Sequence, residues 1–219
     1  GSTAGEVIRG GGGSDEINGG GGDDELYGES GDDYLKAESG NDYVEGGSGN
    51  DRIVGGSGEG DDTYNGGAGV DTVEYQSALA GITVNLKTGT ASSTDTSDTA
   101  KIGTDTLVDI ENIIAGAFND TLTGNASPNN IDGGLGIDTV VYDSALATTT
   151  KSSTSILVNS DKLTNIERIQ FTDTSVAFDI AGANSAGGIY RTYQAAFNRT
   201  PEKTGFGYWI NRADNGASA

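Results

Sequence analysis

A nine-residue pattern, Gly-Gly-x-Gly-x-Asp-x-apolar-x, recurs in seven near-tandem copies between residues 10 and 74. The clearest copies are Gly10-Gly11-Gly12-Gly13-Ser14-Asp15-Glu16-Ile17-Asn18 and Gly46-Gly47-Ser48-Gly49-Asn50-Asp51-Arg52-Ile53-Val54. So short a period is the mark of a solenoid, in which like units stack and bury one continuous narrow core. The copies begin at Gly10, Gly19, Gly28, Ala37, Gly46, Gly55 and Gly66. Their eighth positions are Ile17, Leu26, Leu35, Val44, Ile53, Tyr64 and Val73. The sixth copy has two extra residues, placed in its turn around Glu59 to Asp61, and Glu6 and Ile8 fit a degraded starting copy.

Each position has a physical role. Glycine permits positive φ and close backbone approach, so the first six residues suit a tight turn. The last three suit a short strand whose middle, apolar side chain points inward. Two copies then make one coil, and stacked coils bury a column of Ile, Leu and Val. Stacked turns of carbonyls and carboxylates repel one another when empty. Calcium relieves that repulsion, because it accepts about six to eight oxygens at about 2.3–2.6 Å in irregular geometry.

These tandem copies resemble the repeats-in-toxin (RTX) family of type I secreted bacterial proteins. The resemblance implies an all-β fold, a parallel β-roll with calcium in the turns, held between copies n and n+2. The ligands it implies are the sixth-position Asp and backbone carbonyls near positions two and four. For residues 10–74 these are Gly11, Gly13 and Asp15; Gly20, Gly22 and Asp24; Glu29, Gly31 and Asp33; Glu38, Gly40 and Asp42; Gly47, Gly49 and Asp51; Gly56, Gly58 and Asp62; and Gly67, Gly69 and Asp71. One column would use Asp15, Asp33, Asp51 and Asp71 and the other Asp24, Asp42 and Asp62, giving about five calcium ions. Copies three and four depart from the family pattern, with Glu29 and Glu38 at position two and Ala37 at position one. A carbonyl ligand survives that change, but the turn loses backbone freedom.

Past residue 74 the repeat stretches. The stretch 69–80 (Gly-Val-Asp-Thr-Val-Glu-Tyr-Gln-Ser-Ala-Leu-Ala) returns at 136–147, and Leu107 to Ile113 returns at Leu163 to Ile169. These read as two copies of one enlarged module, with strands near 82–86, 106–114 and 156–171. Thr88 to Thr99, rich in Thr, Ser and Asp, reads as an exposed loop. Between the modules lie three nonapeptide-like copies with Asp120, Asn129 and Asp138 at position six. Further, weaker calcium sites are expected near 115–141, with Asp120 and with Gly134, Gly136 and Asp138. From Gly188 onward Ile189, Tyr193, Ala196 and Phe197 share one helical face, and Thr200-Pro201-Glu202 suits a second helix start. That end resembles the start of a small helical domain of uncharacterised role in secreted repeat proteins. The expected division is 1–74 regular roll, 75–180 continued solenoid and 181–219 helical end.

Composition narrows the chemistry. The 33 acidic residues against 12 basic ones give a net charge of −21, which disfavours nucleic acid and anionic membranes as partners. With only 33% hydrophobic residues, the chain is expected to be disordered without metal and ordered with it. It has no cysteine and no histidine, which removes disulfides, the usual zinc sites, and Ser-His-Asp or Cys nucleophiles. No apolar run reaches membrane-spanning length. No secretion signal opens the chain, so it reads as a piece of a larger protein. The expected function is a non-enzymatic, extracellular calcium-driven folding module of a bacterial surface adhesin, with a glycan or cell-surface partner reached through the parent protein. The alternative is an accessory module of a secreted protease, lipase or polysaccharide-modifying enzyme.

Overall fold

The computed structural model of the protein describes residues 3–55, 60–94, 98, 101–145, 149–152, 154–173 and 175–177. Strands follow one another at the repeat spacing: β1 (Val7–Gly12), β2 (Glu16–Gly21), β3 (Glu25–Ser30), β4 (Tyr34–Ser39), β5 (Tyr43–Ser48), β6 (Arg52–Val54), β7 (Thr63–Ala68) and β8 (Thr72–Glu74). They alternate between two sheets, so that β1, β3, β5 and β7 pair in parallel on one face and β2, β4, β6 and β8 on the other.

Register turns the eighth positions into the core. Ile8, Leu26, Val44, Tyr64 and Leu107 align across the first sheet. Ile17, Leu35, Ile53, Val73, Ile113, Ile131 and Leu163 align across the second. Apart from the terminal Ile8, all are buried and form one cluster between the sheets. Each strand alternates buried and exposed positions, which pins the register, because a one-residue slip would expose the whole column.

Most of these strands are longer than the three residues expected from the repeat. Stacking identical copies lets the inter-coil ladder continue through positions one to three, as in Gly11 opposite Glu29 and Gly12 opposite Ser30. The turn proper shrinks to positions four to six.

The remaining strands are β9 (Ile82–Asn85), β10 (Thr90–Ser93), β11 (Thr104–Val108), β12 (Asn112–Ile114), β13 (Thr121–Thr123), β14 (Asn130–Asp132), β15 (Thr139–Val141), β16 (Thr149–Lys151), β17 (Ile156–Val158), β18 (Asp161–Thr164), β19 (Arg168–Gln170) and β20 (Ser175–Ala177). The first sheet runs β1-β3-β5-β7-β11-β10-β9-β13-β15-β19-β20 and the second β16-β17-β18-β14-β12-β8-β6-β4-β2. The parallel roll therefore carries antiparallel excursions. The expected loop at 88–99 holds β10, whose Ala91 is buried and which pairs antiparallel with both β9 and β11. The stretches 106–114 and 156–171 each divide into separate strands.

The two enlarged modules have the same build on opposite faces. In the first, β8 leaves the second sheet, β9-β10-β11 form an antiparallel meander in the first sheet, and β12 returns beside β8. In the second, β15 leaves the first sheet, β16-β17-β18 form the meander in the second, and β19 returns beside β15. The expected helical end at 181–219 lies outside the described residues.

Candidate metal centre

The sixth and eighth positions of a copy share the inward face, so each Asp lies at the rim of the core where the turn meets the strand. The structure brings these residues together in two columns. Along one edge the amide of Asp15 donates to Asp33 Oδ1 at 2.8 Å, that of Asp33 to Asp51 at 2.8 Å and that of Asp51 to Asp71 at 2.7 Å. Along the other, Glu6 donates to Asp24 at 2.7 Å, Asp24 to Asp42 at 2.8 Å and Asp42 to Asp62 at 2.7 Å. A second ladder runs outside the first, through position five. There the amides of Asn41 and Asn50 donate to Asp23 and Asp32 Oδ1 at 2.9 and 2.7 Å.

The inner ladder occupies only one oxygen of each carboxylate. Oδ2 of Asp15, Asp24, Asp33, Asp42, Asp51, Asp71 and Asp138 is buried without a hydrogen-bond partner. It faces the first residue of its own copy: a Cβ on Gly10 or Gly19 would lie 2.7 Å from Oδ2 of Asp15 or Asp24. Leaving a buried charged oxygen unpaired is costly, and such an orphan calls for a cation or a proton.

In the nonapeptide copies a left-handed position two goes with a bare second oxygen. Gly11, Gly20, Glu29, Glu38, Gly47, Gly67 and Gly134 all have positive φ, and these are the copies whose Asp Oδ2 has no partner. Gly116 and Asn125 hold the same position in the two copies before that of Gly134, without positive φ. Their amides turn inward instead, to Asp120 Oδ2 at 3.2 Å and Asn129 Oδ1 at 3.0 Å. Glu29 and Glu38 pay for the left-handed conformation with a φ of 76° each.

Carbonyls complete the surroundings. A Cβ on Gly49 would strike the Gly31 carbonyl oxygen, and one on Gly47 would strike that of Glu29. The carbonyls of positions two and four thus lie in the space between coils. Among the described residues no three acidic side chains converge on one point, so any cation held here must draw on those carbonyls. Hard oxygen donors of both kinds suit calcium. Burial pushes the carboxyls of Asp42 and Asp71 up to about 6 and that of Asp138 up to about 7, against the lowering effect of the backbone N–H each accepts. Burial likewise raises Asp51, Asp62 and Asp120. Without metal these six carboxyls therefore resist ionisation.

Gly56 and Gly58 of the sequence-expected set lie outside the described residues. Asp62 and Asp120 lie in the column opposite Asp71, with both oxygens partnered. Four ladder residues carried no expectation. Asp105 Oδ1 accepts the Asp62 amide at 3.2 Å, and Asp161 Oδ1 accepts that of Asn129 at 3.0 Å. Glu111 and Glu167 accept the amides of Asp71 and Asp138, each at 2.9 Å. The signal was present: Gly103-Thr104-Asp105-Thr106-Leu107 keeps positions four to eight of the repeat. Asp161 precedes Leu163 as Asp105 precedes Leu107, and Glu111 and Glu167 match in the repeated module.

The family model of the RTX calcium-binding nonapeptide repeat matches in four copies, at residues 1–35, 27–59, 37–73 and 105–140. With the parallel roll that its described residues form, the chain belongs to the RTX calcium-binding repeat family, whose turns bind calcium. No curated protein matches the chain.

Proposed function

We propose that this chain is a calcium-driven folding module of a type I secreted surface adhesin, and that Asp15, Asp24, Asp33, Asp42, Asp51, Asp71 and Asp138 hold its calcium. The observation that carries the reading is the row of buried, unpartnered Oδ2 atoms beside inter-coil carbonyls. Calcium supplies the charge that a core this narrow and this acidic lacks, so binding free energy becomes folding free energy. In chelator the chain should be largely disordered by circular dichroism. Millimolar calcium should produce β-structure, and a fully formed roll in chelator would overturn the reading.

The repeats themselves are structural rather than catalytic, and the regular phase of their carboxylates is accounted for by the stack. The outer face of the first sheet is the candidate adhesive surface. Arg9 lies 4.1 Å over the Tyr27 ring, and Tyr27 and Tyr43 stand 5.9 Å apart, an aromatic and cationic patch against which a sugar can pack. A glycan array with the calcium-loaded chain tests this. Binding lost in Tyr27→Ala would support it, and no binding to any glycan would remove it. Among the described residues no helix is long and apolar enough to cross a membrane.

A further inference from the structure

Beside Asp120, whose second oxygen takes a backbone amide, three carboxylates of the ladder break the pattern of the bare second oxygen through a tyrosine. Tyr64 donates its hydroxyl to Asp62 Oδ2 at 2.5 Å, Tyr75 to Asp105 Oδ2 at 2.8 Å and Tyr142 to Asp161 Oδ2 at 2.8 Å. In each case Oδ1 or the neighbouring amide keeps its place in the ladder. The carboxylate is therefore correctly stacked, and only its second oxygen is reassigned.

The space is reassigned too. In six regular copies a Cβ at the position-one glycine would meet the Asp Oδ2, as at Gly10, Gly19, Gly28, Gly46, Gly66 and Gly133. At Gly55 it would instead meet the rings of Tyr64 and Tyr75, each at 2.8 Å. Both rings are fully buried, with 1% and 0% exposure. Aromatic carbon stands where the other copies present a bare oxygen.

The arrangement also recurs. Tyr75 and Tyr142 occupy the same place in the two enlarged modules, and so do Asp105 and Asp161. The modules lie on opposite sheets, yet both close the same contact at 2.8 Å. The second is held further by stacking of Tyr142 on Phe171, with ring centroids 5.5 Å apart.

We propose that these pairs are calcium-free clasps: the phenol hydroxyl takes the carboxylate oxygen that calcium takes elsewhere, so Asp62, Asp105 and Asp161 hold no ion. Tyr64, Tyr75 and Tyr142 thereby decide which turns bind metal, and each enlarged module is closed by a hydrogen bond. A hydroxyl suits this because it satisfies one lone pair while its ring fills the volume around it. This inference rests on the reading that the bare Oδ2 atoms are calcium ligands.

The test counts bound calcium per chain by equilibrium dialysis and follows melting in saturating calcium. Asp105→Asn and Asp161→Asn should bind as many ions as the wild type, while Asp33→Asn binds fewer. Tyr75→Phe and Tyr142→Phe should bind no fewer ions, yet melt about 3–6 °C lower because a buried carboxylate oxygen loses its donor. Should Tyr75→Phe fail to fold, Tyr142→Phe at its half-buried position gives the same readout. Loss of an ion in Asp105→Asn or Asp161→Asn, with Asp33→Asn also losing one, overturns the clasps alone. An unchanged melting temperature in both tyrosine variants overturns them as well. If Asp33→Asn keeps every ion, the ligand reading falls and the clasps with it.

Discussion

Asp51 accepts the amide of Asp33 on Oδ1 at 2.8 Å, while the residue before it, Asn50, donates its own amide back to Asp32 at 2.7 Å. Within one turn the Asn50 amide reaches back to Asp32 and the Asp51 amide forward to Asp71. The Asp33 amide holds the Asp51 carboxylate in place with its second oxygen bare, and the Asn50 amide ties the same turn to the coil before it. The stack organises the candidate ligands through the protein's own backbone.

Position in the column should therefore set the effect of losing a ligand. Asp33 lies between two neighbours of its kind, Asp15 and Asp51, whereas Asp71 is followed by Glu111. If ions sit between copies n and n+2, Asp33→Ala weakens two sites and Asp71→Ala mainly one, because coils couple only to their neighbours. The calcium midpoint for folding should rise more in Asp33→Ala than in Asp71→Ala, and stay nearly unchanged in Asp143→Ala, at an exposed pair with Lys87. Equal midpoints in all three variants would contradict the phase of the site. Asp95, in the Ser/Thr-rich stretch, lies outside the described residues and is a poorer control.

Ion choice follows from the donors. Magnesium demands near-ideal octahedral geometry at about 2.0–2.1 Å and gives up water reluctantly. Turns built from carbonyls and one carboxylate per copy offer no such arrangement. Thermal melts should show stabilisation by calcium and little by magnesium at equal concentration, and equal shifts would contradict the donor set.

The metal-free chain should respond to pH in the opposite sense from most acidic proteins. Asp42 and Asp71 titrate near 6 and Asp138 near 7 in the fold, above the ordinary carboxylate range because they are buried. A raised folded pKa means that the folded chain binds more protons than the unfolded one between about pH 4 and pH 7. Stability in chelator must then rise as pH falls through that window. With calcium present the sign reverses, since protons compete for the same oxygens, and the calcium midpoint should rise below about pH 7. Circular dichroism in chelator at pH 7.5, 6 and 5 checks the first half. Structure should be gained between pH 7.5 and pH 5, and the absence of any gain would refute it.

Backbone strain at position two is separable from charge. Glu29 has a φ of 76°, a conformation costing a non-glycine residue about 1–2 kcal/mol. Its ion pair with Arg9 is exposed and offers little in return. Glu29→Gly and Glu29→Ala remove the same charge, so comparing them isolates the backbone. The glycine variant should be the more stable by about 1 kcal/mol in saturating calcium. An alanine variant of equal stability would show that the strain is not there.

The regular roll was legible because its phase is local: Asp15 and Ile17 are fixed by the nine residues around them, and register follows from burying Ile17 against Leu35. Beyond Glu74 the phase breaks, and pairing becomes a long-range matter. The polar strand β10 is specified by its neighbours β9 and β11 rather than by its own sequence, so Thr90 to Ser93 read as loop. Tyr75 was visible as a repeated residue of the module, but its partner Asp105 stands 30 positions away. Asp120 shows the converse. Its sequence places it among the weaker sites without showing the cause, which is that Gly116 does not take the left-handed turn that would leave the second oxygen bare.

Asn129 offers the sharpest test, because it holds a sixth position with an amide in place of a carboxylate. Its Nδ2 donates to the Glu111 carbonyl at 2.7 Å and to Asn125 Oδ1 at 2.9 Å, and the side chain is buried. The NH2 group supplies the positive end that a cation would supply elsewhere in the stack. Asn129→Asp replaces that donor with an anionic oxygen facing two acceptors, a loss of about 1–3 kcal/mol or more where no cation intervenes. The variant should melt well below the wild type at limiting calcium and recover part of the difference as calcium rises, making its stability more calcium-dependent than that of the parent. Equal calcium dependence in the two proteins would mean that a carboxylate at this position cannot recruit the ion. Metal binding would then be decided by the left-handed residue at position two, which Asn125 does not provide.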